Sequence, residues 1–234
     1  MVTLNLSGRI LYEDNHLIAV NKLAGELSQG DETGDPPLGE MVKQYIKKKY
    51  AKPGDVFLGI VHRLDRPVSG VMLFARTSKA LIRLTSMLRE KRIEKTYWAV
   101  VKSKPPQLSG ELVHYLQREK RMNITQAFTR ARRESRESQL TYHLIKSSGK
   151  FHLLEIIPHT GRQHQIRAQL AAIGCPIVGD VKYGYPQPLP DASIALHARK
   201  LDFIHPVKKI PVTIAAPLPE NKIWNVFAGD RNKA

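Results

Sequence analysis

An α+β fold, built on a mainly antiparallel mixed β-sheet with flanking helices, is predicted by two features of the sequence. Between Gly110 and Pro158 the strand-like stretches ELVHYL, MNITQAF, SQLTYHLI and FHLLEII follow one another with only turn or charged segments between them. Strands that alternate with helices give a different pattern. Helical periodicity is confined to residues 38–46, 81–88 and 163–173, so helices flank the strands. Across 234 residues, 42% hydrophobic and 25% charged is an ordinary globular balance, enough for a real core.

The elements follow in order. ILYEDNHLIAVNK has two apolar stretches broken by Glu13-Asp14-Asn15, the pattern of a hairpin around a polar turn. ELSQGDETGDPP, residues 26–37, is small, polar and acidic and is expected to be an exposed loop. Leu38, Met41, Val42, Tyr45 and Ile46 fall at helical spacing beside Lys43, Lys47, Lys48 and Lys49, which predicts a basic surface helix ending before Gly54. Val56–Val61 and GVMLFA are short apolar runs, and the segment HRLDRPVS joins them as a loop, with Ser69-Gly70 as the turn into the second strand. Thr77 or Ser78 caps the next helix, whose buried face is expected to be Leu81, Ile82, Leu84, Met87 and Leu88. TYWAVV is a β-branched and aromatic strand, and Pro105-Pro106 after it suggests a subdomain boundary near 103–110. The helix over Gln163–Ile173 is stopped by Gly174, and two strands, in IALHARKLDFIHP and KKIPVTIAAPLP, complete the chain.

Lys and Arg number 37 against 21 Asp and Glu, a formal charge of +16, which draws in polyanions and makes nucleic acid the leading partner. No apolar run approaches the roughly 18–20 residues of a spanning helix, and MVTLNLSGRI lacks a signal pattern, so a cytoplasmic location is expected and no membrane partner. Nothing requires more than a monomer. The single cysteine, Cys175, makes neither an internal disulfide nor a thiolate-rich zinc site and is expected to be a small buried hydrophobe. His159 and His164 have no obvious carboxylate companion, so no metal is expected. Gly174-CPIV-Gly179 has the spacing of a phosphate loop, but Asp180-Val181 stand where Lys and Ser/Thr are needed, and an aspartate repels phosphate. No cofactor site is visible.

Two segments concentrate polar residues beyond what a packed core tolerates without partners: His62-Arg63-Leu64-Asp65-Arg66, and PHTGRQHQIRAQLA, which continues through GCPIVGDVKYGY. Together with KTYWAVV and the opening LYEDNHLIAVNKLAGE, they resemble the RluA family of pseudouridine synthases, in order and over nearly the whole chain. Two departures are Val68, where the family usually has Thr, and Leu23, where its K-P-x-G motif has Pro.

The resemblance implies a pseudouridine-synthase fold in a single catalytic domain over residues 1–234, with a central cleft between two halves. It also implies no separate N-terminal RNA-binding domain, because the catalytic pattern starts at about residue 10. The reaction it implies is isomerisation of uridine to pseudouridine in structured RNA, ribosomal RNA favoured over transfer RNA, without cofactor. Asp65 is then the reacting carboxylate, as nucleophile or as base; Arg167 is its ion-pair partner, though Arg66 and Arg162 are alternatives. Tyr97 stacks on the base and joins proton transfer, and Arg63 enters the space that the extracted uridine leaves. His62, Arg66, Arg162, His164, Gln165 and Leu170 are assigned to contacts with substrate or RNA. Two rivals remain at this level: a non-catalytic RNA-binding protein that keeps the fold, and a metal-dependent nuclease, for which the carboxylate cluster is missing.

Overall fold

The computed structural model describes residues 6–32 and 34–227. The chain divides into two compact units, the first running to Glu94 and taking in Ala198–Pro217, the second holding Lys95–His197 and resuming at Leu218. Pro105-Pro106 lies inside the second unit, in the link between two of its strands, where Leu144 N–H donates to Leu108 C=O at 2.7 Å.

In the first unit β1 (Ile10–Glu13) and β2 (Leu17–Lys22) form the expected hairpin. Asp14 makes its turn, one carboxylate oxygen accepting the His16 and Leu17 N–H groups at 2.8 Å each. β2 pairs antiparallel with β4 (Ser69–Ala75), Leu17 opposite Ala75 and Lys22 opposite Gly70. β3 covers only Gly59–Ile60 of the apolar run 56–61 and pairs with the far end of β4. β10 (Leu196–Ile204) follows β4 in strand order and pairs with β11 (Pro211–Ala215).

β2 and β4 are apolar on both faces because each face carries a helix. Ile18, Val20, Met72 and Phe74 pack with Leu38, Val42 and Ile46 of α1 (Leu38–Lys49). The alternate residues Leu17, Ala19, Val71, Leu73 and Ala75 pack with Ala80, Leu84 and Met87 of α2 (Ser78–Arg89), which Thr77 caps through the Ala80 N–H. That is the two-residue alternation of a strand buried on both sides. Ile82, expected in this seam, is 70% exposed instead. At about 100° per residue it faces away from the line through Ala80, Leu84 and Met87.

Ser69-Gly70 is not a turn. Both residues belong to β4; Gly70 has φ +119°, and a Cβ there would sit 2.2 Å from the Ala198 carbonyl oxygen on β10. Glycine is required for that close approach.

In the second unit β5 (Ile93–Val101), β9 (Phe151–Pro158), β8 (Arg136–Ser148), β6 (Ser109–Glu119) and β7 (Ile124–Phe128) lie side by side in that order, each pair antiparallel. The predicted α+β architecture, mostly antiparallel, is therefore the one observed. Helix α3 spans Gln165–Ala172, shorter at its start than expected because His164 takes a left-handed conformation, φ 52°. Its C-terminus is closed as predicted: Gly174 N–H reaches Ala171 C=O, and Cys175 N–H reaches Leu170 C=O, both at 3.0 Å. Cys175 is buried, as expected. α4 (Lys222–Asn225) is a single turn capped by Asn221. Among the described residues no helix is long and apolar enough to cross a membrane.

Replacing Gly70 with Ala is expected to lower the unfolding free energy by about 3 kcal/mol, through backbone collision and a disfavoured φ. Urea denaturation checks it, with the midpoint falling at unchanged slope.

Candidate active site

The loop His62–Val68 leaves β3 and enters β4, and its main chain is gathered around one buried cation. Lys22, at the end of β2, is fully buried and donates from Nζ to the carbonyl oxygens of Val68 (2.7 Å), Leu23 (3.1 Å), Arg66 (3.1 Å) and Asp65 (3.2 Å). Burial pushes its pKa down to about 8, against the pull of the Glu26 and Asp65 carboxylates. The ammonium therefore persists at neutral pH. On the other side of the loop Ser28 donates to Leu64 C=O at 2.6 Å and accepts from Leu64 N–H at 3.0 Å. Segment 26–37, expected to be simply exposed, is thus anchored by buried Leu27 and Ser28.

Within this frame Asp65 is half-buried, its carbonyl also accepting the Val68 N–H at 3.0 Å. Arg63 is exposed, with Nη1 donating to Gln29 at 3.2 Å. Arg66 turns towards segment 26–37, donating to Gly25 C=O at 3.0 Å and pairing with Asp35 at 2.5 Å. His62 faces inward: its Nε2 accepts the Leu73 N–H at 3.1 Å, so the ring ties the loop to β4.

In the second unit Arg167 is buried, 5% exposed, on α3. Its Nε and Nη2 donate to the two carboxylate oxygens of Asp180 at 2.7 and 2.8 Å, a bidentate pair. Asp180 is itself fixed, because the segment before it is held on both sides: Val178 N–H bonds to Val100 C=O, and Val178 C=O accepts the Ala195 N–H, both at 2.9 Å. Sequence reasoning met Asp180 only as a mismatch to a phosphate loop. The missed signal is that a buried arginine demands a carboxylate, and Asp180 lies in the same continuous polar segment.

Tyr183, also missed, carries its ring under the Arg167 guanidinium at 4.9 Å. Its hydroxyl accepts the Thr125 N–H at 2.8 Å and lies 2.8 Å from His164 Nδ1. Burial pushes the phenol pKa up, so it is neutral at physiological pH. Tyr97 stands half-buried on β5, opposite Ile156.

Two expected contact residues belong to the interior. Gln165 is 4% exposed and its polar atoms bond within the protein: Oε1 accepts from the Thr160 hydroxyl (2.8 Å) and Arg162 N–H (3.0 Å), and Nε2 donates to Gln139 C=O (3.0 Å). It locks the loop ahead of α3. Leu170 is fully buried, since it lies one helical turn after Arg167 on the inward face. Arg162 is exposed and His164 half-buried. Among the described residues no group of three or more His, Cys, Asp or Glu is placed to hold a metal ion.

Residues 16–172, more than half of the chain, match the family described as RNA pseudouridylate synthase. The chain belongs to that family. Ribosomal large subunit pseudouridine synthase D of Xylella fastidiosa is 36% identical over 91% of this chain and 66% of its own length. Ribosomal large subunit pseudouridine synthase C of Rickettsia felis is 34% identical over 90% and 67%. The chain thus spans about two-thirds of these ribosomal relatives. It spans 97% of tRNA pseudouridine synthase C of Haemophilus influenzae, 33% identical over 93% of this chain. Among solved structures, human RNA pseudouridylate synthase domain containing 4 superposes with a TM-score of 0.75 at 23% identity, covering 92% of this chain and 90% of that one. The fold is accordingly that of the pseudouridine synthases.

Lys22→Met keeps the stem but leaves four carbonyl oxygens without the ammonium. It is expected to cost about 3 kcal/mol of stability, the scale of losing buried bonds to a charge, read as a lower midpoint in chemical denaturation. Faster amide exchange at residues 64–68 should accompany it.

Proposed function

We propose that this chain isomerises particular uridines of structured RNA to pseudouridine, with ribosomal RNA as the favoured substrate and transfer RNA as the alternative. Membership of the family supports the reaction, and the names of the relatives support both RNA classes. The observation that carries the reading is the Lys22-anchored loop, which fixes the main chain on which Asp65 stands.

The reaction breaks the bond between ribose C1′ and uracil N1, turns the base, joins C1′ to C5, and moves the C5 hydrogen to N1. No atoms are gained or lost, so neither metal nor redox cofactor enters the proposed scheme. Asp65 supplies the carboxylate, attacking as a nucleophile or taking a proton. Arg167 is the cation assigned to hold that carboxylate ionised. Tyr97 is assigned to stacking on the uracil and to proton transfer at C5. Arg63, exposed on the loop, is assigned to the stack that the extracted nucleotide vacates. The protein is taken to act as a monomer in the cytoplasm.

The net charge of +16 is shared by both units, and in the second Arg118, Lys120, Arg121, Arg130 and Arg133 are all exposed. A surface of this kind follows phosphates, so affinity should fall as salt rises.

Asp65→Asn should leave the unfolding midpoint and RNA affinity nearly unchanged while lowering isomerisation by on the order of 10³-fold or more. Release of tritium from C5-labelled uridine in RNA measures it, and full release by the variant would remove Asp65 from the reaction. Arg63→Ala should slow conversion on structured RNA by about tenfold, roughly the contribution of one stacked group, and on an unstructured oligonucleotide much less. An equal loss on both would make Arg63 a phosphate contact only.

A further inference from the structure

The Arg167 guanidinium is held along one edge by Asp180, and its carbon lies over the Tyr183 ring. Two hydrogen bonds along one edge fix direction more firmly than tilt, and a ring packed against the cation bears on the tilt. The Tyr183 ring lies against the guanidinium 4.9 Å from its carbon, and is itself pinned at its far end by the hydroxyl, bonded to Thr125 N–H and to His164 Nδ1 at 2.8 Å each. Those anchors are stiff. Thr125 is buried in β7, and His164 sits in a left-handed conformation immediately before α3, with its ring edge-on to Tyr183 at 5.7 Å. Two more bonds tie the same hairpin to this neighbourhood: Gln163 Nε2 to Asn123 Oδ1 at 2.9 Å, and Lys182 Nζ to Asn123 C=O at 3.5 Å.

We infer that Tyr183 is a positioning residue for Arg167, setting the plane of its guanidinium and coupling it to the β6–β7 hairpin that carries Arg118, Lys120 and Arg121. The inference rests on the proposed role of Arg167 in the isomerisation. A cation over an aromatic face is favoured electrostatically, and a planar guanidinium has in addition a plane that the ring can set. An ammonium at position 167 keeps part of the attraction but has no plane to be set. Phosphate contact at the hairpin then bears on the guanidinium through Thr125 and the Tyr183 hydroxyl.

The test is a double-mutant cycle between positions 183 and 167, read by single-turnover conversion of RNA at saturating enzyme and by KM in steady state. Tyr183→Leu removes the ring and is expected to lower the rate about 100-fold, the scale of a roughly 1 Å displacement of a reacting group, with KM within about threefold. Tyr183→Phe keeps the ring but frees its far end and should lose about three- to tenfold. In an Arg167→Lys background the further effect of either change should shrink to less than about threefold. If either variant is as fast as the parent, or loses the same factor in both backgrounds, Tyr183 is a packing residue and the inference fails. Should Tyr183→Leu not fold, the Tyr183→Phe arm of the cycle decides by the same rule. Asp65→Asn is run alongside: an Asp65-dependent enzyme indifferent to position 183 overturns this inference alone, whereas no conversion by the parent overturns it together with the proposed function.

Discussion

The geometry of the first unit depends on one ammonium group taken out of water. A cation in the interior is costly, and it is tolerated only where polar atoms replace its hydration. For Lys22 those atoms are main-chain oxygens from Leu23, Asp65, Arg66 and Val68. The lysine stands opposite Gly70 in the β2–β4 register, so the sheet fixes the charge and the charge fixes the loop. Both departures from the family pattern fall on residues whose main-chain carbonyls bind this ammonium. Val68 contributes its carbonyl, which any residue supplies, while its buried side chain adds to the core. Leu23 likewise contributes a carbonyl, and its N–H is satisfied by Glu26 at 2.9 Å.

The second unit solves a related problem with side chains. Arg167 is buried like Lys22, but its guanidinium needs a direction as well as a location, and a bidentate carboxylate gives one. The contrast with Arg66 and Asp35 is instructive. That pair is shorter still, at 2.5 Å, but both side chains are roughly half-exposed, where screening leaves an ion pair worth about 0–1 kcal/mol. Short distance alone does not make a structural charge; burial does.

Much of the fold was legible because its signals are local. The hairpin at Glu13-Asp14-Asn15, the strands from Ser109 to Pro158 and the Gly174 stop each follow from alternation or turn chemistry within a few residues. What escaped was set by tertiary partners. Ile82 looked like a core residue until α2 was placed against β4. Ser69-Gly70 read as a turn because the approach of Ala198, distant in sequence, is what demands the glycine. Segment 26–37 looked exposed because the partner of Ser28 is the main chain of Leu64. Within the candidate site the motifs locate the loop and the helix and contain Lys22, Asp180 and Tyr183, but which groups these three hold is set by tertiary contacts. Gln165 and Leu170, assigned to contacts with substrate or RNA, are buried, and the polar atoms of Gln165 bond within the protein.

β7 is the terminal strand in the second unit's order, with β6 on one side only. An edge of this kind is a template on which another chain can add a strand, the first step of aggregation. It is defended in three ways: it is five residues long, its Thr125 N–H is occupied by the Tyr183 hydroxyl, and arginines lie in the chain at both of its ends. The same positive charge that suits a polyanion thus flanks this edge, where like charges on two copies repel.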